Sequence, residues 1–209
     1  MIKLFVDAQY ASPYALSAYV ALREKQLPFE LQTVDLGAGA QGAAPFRAQS
    51  LTWRVPTLVH GNFTLTESSA IDEYVDEMFL GPRLYPLDPR QRARCRQVQA
   101  WLRSDLAALR QERTTEVVFY AAKAGPLSPA AADAAAKLLQ VAGALIAPGQ
   151  AHLAAAWSIA DVDLALMLNR LVLHGDEVPP HLRVYAAAQW ARPAVQEWLA
   201  KPRPPLHKP

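Results

Sequence analysis

The sequence has a single cysteine, Cys95, among its 209 residues. No intrachain disulfide can form, so the fold must rest on packing and hydrogen bonds, as is usual in a reducing compartment. The five histidines show no ligand spacing, and no metal site is expected. Charge of one sign is not in surplus either. The 21 basic and 19 acidic side chains leave a formal net charge of +2, too balanced to imply a nucleic-acid or anionic-membrane surface. No apolar run approaches the roughly 20 residues that span a bilayer. The opening MIKLFVDAQY reads as the start of a strand, not a signal peptide. These absences point to a cytoplasmic globular protein. The 52% hydrophobic and 19% charged content fits that class, and heavy use of alanine favours helix.

What is present changes character near residue 81. Before it, strands and helices alternate. Ile2 to Val6 reads as a buried strand, and Ser12-Pro13 opens a helix, since serine caps well and proline suits the first helical position. Phe29 to Leu36 is a second strand. A Gly/Ala loop and a short helical stretch lead to Thr57–His60 and Phe63–Leu65, joined by the hairpin turn Gly61-Asn62. A helix with Ile71, Tyr74, Val75 and Met78 on one face closes the first half. The order βαβαββα requires one helical crossover and one hairpin. The expected domains are 1–81, a proline-rich connector over 82–90, an all-helical domain over 91–200, and a disordered tail over 201–209. In the second half, residues 91 to about 110 read as one helix. PLSPAAADAAAKLLQVAGALI reads as another, and two short helices lie near 181–190 and 193–200. Between them WSIADVDLALMLNRLVLHG carries a capping box, Ser158 with Asp161, and is apolar on almost every side.

GAGAQG, residues 37–42, matches G-x-G-x-x-G after a strand. The following segment is too short and proline-interrupted for a dinucleotide helix, and no acid stands about 20 residues on. A flexible Gly/Ala loop is the better reading. A different constellation makes chemical sense. Two helices begin at Ser12 and near Ser68, each after a strand, and helix N-termini carry unpaired N–H groups and partial positive charge. A carboxylate at Ser68, an ammonium at Glu67, an extended peptide along Val55 and a second carboxylate at Arg54 describe a small anionic peptide. Ser12 would sit near its middle. Plain helix capping is the competing account of Ser12 and Ser68, and dipole complementation that of Glu67. Cys95 stands among arginines in RARCRQ. These charges would lower its pKa, though an incidental helix cysteine is the simpler reading.

SPY opening the first helix, RVPTLV before the hairpin, ESSAI opening the third helix, YPLDPRQRAR as connector and SIADVDLAL as capped core helix together resemble a soluble glutathione S-transferase. QAWLRSDL and NRLVLHGDEVP resemble more narrowly the bacterial YfcF-type branch. The resemblance covers nearly the whole chain except the tail. It implies a thioredoxin-like α/β domain followed by an all-α domain, and a cis Pro56. It also implies glutathione as co-substrate along Arg54, Val55, Pro56, Glu67 and Ser68. Ser12 would activate the thiol, with Tyr10 as runner-up, for transfer to a small hydrophobic electrophile or reduction of an organic hydroperoxide. A binding or scaffold protein without turnover is the alternative. The usual partner is a second identical subunit, whose Asp105, or Arg103 beside it, is a candidate to reach the ligand. Tyr14, Trp101, Phe119 and Tyr120 are candidates for the acceptor pocket. The chain lacks the Asn-Pro that many members carry before Val-Pro, and has Arg54 where many have lysine.

Overall fold

The computed structural model describes residues 1–206. It divides into two compact units, Met1–Pro82 together with the segment from Ala194 onward, and Arg83–Pro193.

The first unit runs β1 (Ile2–Asp7), α1 (Pro13–Glu24), β2 (Phe29–Val34), α2 (Ala44–Arg47), β3 (Thr57–His60), β4 (Phe63–Thr66) and α3 (Ser68–Met78), the expected βαβαββα order. The sheet order is β2-β1-β3-β4, with β1 parallel to β2 and the other pairs antiparallel. β1 is a nearly continuous apolar run because both of its faces are covered. Leu4 and Val6 are fully buried, while Phe5, on the opposite face, meets Phe46 of α2 edge to face at 5.7 Å. α1 packs on α3, and between them the buried Ser17 hydroxyl donates to Asp72 at 2.9 Å. Gly61 takes φ 63 in the β3–β4 hairpin, a conformation that glycine adopts without a Cβ clash.

Strand register decides where the loops meet. Asp7 pairs with Val34, Phe5 with Thr57, and Thr57 with Thr66. The C-terminal ends of β1, β2 and β4 and the N-terminal end of β3 therefore lie along one edge of the sheet. The segments 8–12, 35–43, 50–56 and 67–68 all issue from that edge.

The second unit contains α4 (Pro89–Ser104), α5 (Ala107–Glu112), α6 (Thr115–Tyr120), α7 (Pro129–Leu145), α8 (Ile159–Val172) and α9 (Pro180–Trp190). α8 is its centre. Every residue from Ile159 to Leu171 except Asp163 is buried, and the Ser158–Asp161 capping box is present. Asp161 also accepts the Leu153 N–H at 2.7 Å and the Tyr185 hydroxyl at 2.7 Å.

Three expectations are corrected. The helix read over 91–110 is broken after Ser104, where Leu106 adopts φ 60 and donates its N–H to the Asp105 carboxylate. Within residues 37–42, read as a flexible Gly/Ala loop, Ala40–Gly42 form a 3₁₀ turn entered through Gly39 at φ 72. The last helix, α10 (Pro193–Leu199), packs from Ala194 onward as part of the first compact unit. There Trp198 is fully buried against Tyr10 and Tyr19, and Glu197 takes Arg23 at 2.6 Å. The tail expected to be disordered is anchored at Arg203, whose guanidinium reaches four backbone carbonyls. Residues 207–209 of that expectation lie outside the described residues. Among the described residues no helix is long and apolar enough to cross a membrane.

Candidate functional site

Ser12 is the N-cap of α1. Its backbone is extended and its hydroxyl oxygen accepts the Ala15 N–H at 3.2 Å, as a capping serine should. Its own N–H donates to the Asp7 carboxylate at 3.1 Å. With those groups engaged, the hydroxyl hydrogen is the donor that Ser12 has left to offer. Asp7 is 3% exposed and accepts the Ala11 N–H as well, at 2.6 Å. Burial pushes its carboxyl above the usual range, while these N–H bonds and the Arg203 charge draw it back down.

A cleft of about 510 Å³ opens beside Ser12. Ser12 and Tyr14 from the start of α1 form one wall. Leu36, Gly39, Gln41 and Gly42 from the loop after β2 form another, and residues 52–55 ahead of β3 complete it. Among the described residues of this lining, Arg54 is the one charged side chain. With the N-terminus of α1 alongside, the cleft suits an anion. Gln41 Oε1 is buried and meets no donor among the described residues, so it can accept a ligand N–H. Trp53 takes φ 56 and carries the Arg47 guanidinium 3.7 Å above its ring, a second cation at the rim.

The remaining candidates of the first unit sit at the same edge of the sheet. The Val55–Pro56 peptide is cis. Glu67 holds φ 70, a region that costs a non-glycine residue about 1–3 kcal/mol and clusters at functional sites. Glu67 occupies the cap position of α3 without any side-chain capping bond, and its carboxylate is exposed. Ser68 is inside the first turn and only 3% exposed. Ser68 is therefore not the cap, and simple capping does not account for it. Neither residue belongs to the cleft lining. Tyr10 does not line the cleft either. Its ring stands edge-on against Trp198 at 5.5 Å, with the Lys201 ammonium 5.5 Å from its centroid.

In the second unit, Asp105 is committed within its own chain. It accepts from Trp101 Nε1 at 3.0 Å, from the Leu106 N–H at 2.7 Å and from Lys137 at 2.5 Å. Arg103 pairs with Asp163 at 3.0 Å. Trp101 packs on the helical core and lines a separate groove of about 210 Å³ with Val98, Val141 and Leu145. Phe119 and Tyr120 end α6, half-buried. Cys95 is fully buried, 3.4 Å from Ser158 Oγ, and burial raises its thiol pKa instead of the neighbouring arginines lowering it. No group of three or more His, Cys, Asp and Glu side chains gathers as a metal set among the described residues.

Sequence reasoning missed Asp7, Gln41 and Trp53. The glycine-dense run 37–42 was the available signal for Gln41. It marked a loop without showing that the loop faces Ser12.

Comparison with known proteins bears on this arrangement. A family model described as "Glutathione S-transferase, N-terminal domain" matches residues 11–78, and one described as "Glutathione S-transferase, C-terminal domain" matches residues 88–202. The chain is 35% identical over 101 residues to human glutathione S-transferase theta-2, a stretch covering 48% of this chain and 41% of that protein. It is 34% identical over 95 residues to Arabidopsis thaliana glutathione S-transferase U9, covering 45% and 39%. The matches thus span about two fifths of those relatives' length. Among solved structures, the chain is similar to a glutathione transferase homolog from Burkholderia GL BGR1 with bound glutathione. That match has 46% identity, 95% of each chain covered and a TM-score of 0.77. It is also similar to a maleylacetoacetate isomerase from Methylobacterium extorquens AM1 with bound malonate and glutathione. Here the identity is 26%, the coverage 96% and 98%, and the TM-score 0.74.

Proposed function

The chain belongs to the glutathione S-transferase family, and on that premise we propose that it binds glutathione in the cleft ahead of β3 and ionises the thiol with the Ser12 hydroxyl for attack on small electrophiles. The observation that carries this reading is the presence of Ser12, Arg54 and Val55 in the walls of one cleft whose described lining holds no acidic side chain. Val55 offers its backbone to the extended tripeptide, and Arg54 pairs with one ligand carboxylate. Glu67 takes the ammonium and Ser68 the other carboxylate.

A free thiol has a pKa near 8.5 and is mostly protonated at neutral pH. A hydroxyl donor and a helix N-terminus favour the thiolate, and each unit of pKa depression needs about 1.4 kcal/mol. The thiol proton leaves to solvent, the sulfur forms its bond to the electrophilic carbon, and the leaving group departs with its electron pair. With an organic hydroperoxide, the sulfur takes the terminal oxygen and releases the alcohol. A second glutathione then displaces that oxygen as water, giving the disulfide. The enzyme contributes no cysteine to either route, since Cys95 is buried in the second unit.

The finer assignments belong to the same proposal. Ser12 at the start of α1 supports a serine-type member, QAWLRSDL and NRLVLHGDEVP support a YfcF-like one, and family membership supports a homodimer. The test combines calorimetric titration with glutathione and turnover of an activated chloronitrobenzene and an organic hydroperoxide. Arg54→Ala is expected to weaken glutathione binding about tenfold, the scale of one charge-assisted hydrogen bond. Binding with no turnover of any electrophile or peroxide would support a binding protein instead. No binding at all would remove the proposal.

A further inference from the structure

The turn that carries Ser12 is held from two sides by residues far apart in sequence. On the inner side, Asp7 closes β1. Its carboxylate takes the N–H groups of Ala11 and Ser12, and its backbone carbonyl takes the Tyr10 N–H at 3.0 Å. On the outer side lies the C-terminal arm. Arg203 Nη2 donates to the Tyr10 carbonyl at 3.3 Å and to the Trp198 carbonyl at 3.0 Å. Its Nη1 donates to the Leu199 carbonyl at 2.8 Å and the Lys201 carbonyl at 3.2 Å. One guanidinium thus satisfies carbonyls at the end of α10, which a helix C-terminus leaves open, and ties them to the turn before Ser12. The buried Trp198 ring supports the Tyr10 ring from the same side, at an interplanar angle of 90°.

The turn needs this support. Tyr10 sits at φ 49, a conformation that a bulky residue keeps only when its surroundings impose it. Neither Asp7 nor Arg203 is in the cleft lining, so their effect on a ligand passes through Ser12. Displacing a reacting group by about 1 Å can cost 10²-fold in rate.

We propose that Asp7 and Arg203 are positioning residues of the Ser12 turn, so that the C-terminal arm helps to aim the serine hydroxyl at the ligand thiol. This inference rests on the thiol-activation reading above. Its test is the pKa of the bound glutathione thiol, read from thiolate ultraviolet absorbance in the full chain. Wild type would be compared with Asp7→Asn, Arg203→Met and Arg203→Lys, alongside the glutathione Kd and kcat of each. Asn at position 7 keeps one acceptor but turns an amide donor toward the second N–H. Asp7→Asn and Arg203→Met are expected to raise the bound thiol pKa by about one unit and lower kcat about tenfold, with Kd within about threefold of wild type. Arg203→Lys should recover part of the loss, because an ammonium can still donate to the Tyr10 carbonyl. If Asp7→Asn does not fold, the half-buried Arg203 still decides the matter. Variants that fold and bind with the wild-type thiol pKa would overturn the inference alone. A wild-type protein that leaves the bound thiol at its free value would overturn the thiol-activation reading and this inference with it.

Discussion

Asp105 shows how much of a side chain's local bonding a sequence can leave unseen. The resemblance to glutathione S-transferases made Asp105, with Arg103, a candidate to reach the ligand of a partner subunit. The structure ends α4 there and gives the carboxylate to Lys137, Leu106 N–H and Trp101 Nε1. The bond from Lys137 leads in holding its pKa down to about 2. A carboxyl with a folded pKa below its unfolded value stabilises the fold above the unfolded pKa and loses that contribution as pH falls through the folded one. Stability measured by urea unfolding should therefore separate wild type from Asp105→Asn above pH about 4, the unfolded range for aspartate. The gap should close as pH approaches 2. A gap of constant size across that range would mean that the charge is not what matters. Ser12 was legible because its signals are local, a serine directly before a proline that opens a helix. Asp7 was not, because its role depends on the chain doubling back within five residues at a positive φ that no glycine announces.

At the scale of elements, the α1–α3 pair is joined by a buried ion pair. The Lys25 side chain is 1% exposed and its ammonium lies 2.9 Å from the Asp76 carboxylate, whose side chain is 7% exposed. It also donates to the carbonyls of Asp76 and Phe79, at 3.2 and 2.9 Å, and so closes the end of α3. Lys25→Met deprives a buried carboxylate and two carbonyls of one donor. It is expected to destabilise the first unit by about 3–5 kcal/mol, the usual result of removing one partner of a buried pair. Chemical denaturation monitored by tryptophan fluorescence would check this, and a loss below about 1 kcal/mol would place the pair among the weak surface bridges. α8 was the most legible element, since cap, box and continuous apolar run all agree. α6 was not foreseen. Its TEVVFY core consists mainly of residues with poor helix propensity, and the Thr114 cap alone was too weak a signal.

For the molecule as a whole, four segments separated by up to 60 residues meet at one end of a four-stranded sheet. The pattern of strands, one crossover and one hairpin was readable from the sequence, and with it the proximity of Val55-Pro56 to Glu67-Ser68. Their separation follows from the Thr57–Thr66 pairing. The return of the C-terminal arm to the first unit was not readable. KPRPPLHKP has the composition of a loose tail, and only the three-dimensional path shows Arg203 meeting carbonyls near both ends of the chain. In the thiol-activation reading, this convergence lowers the pKa of a bound thiol. The most direct test is the ultraviolet thiolate absorbance of glutathione titrated with pH, free and bound to wild type or Ser12→Ala. The account predicts that wild type lowers the thiol pKa by about one unit or more from its free value, and that Ser12→Ala returns it close to that value. A Ser12→Ala protein that lowers the pKa as far as wild type does would contradict the account and leave Ser12 as no more than the cap of α1.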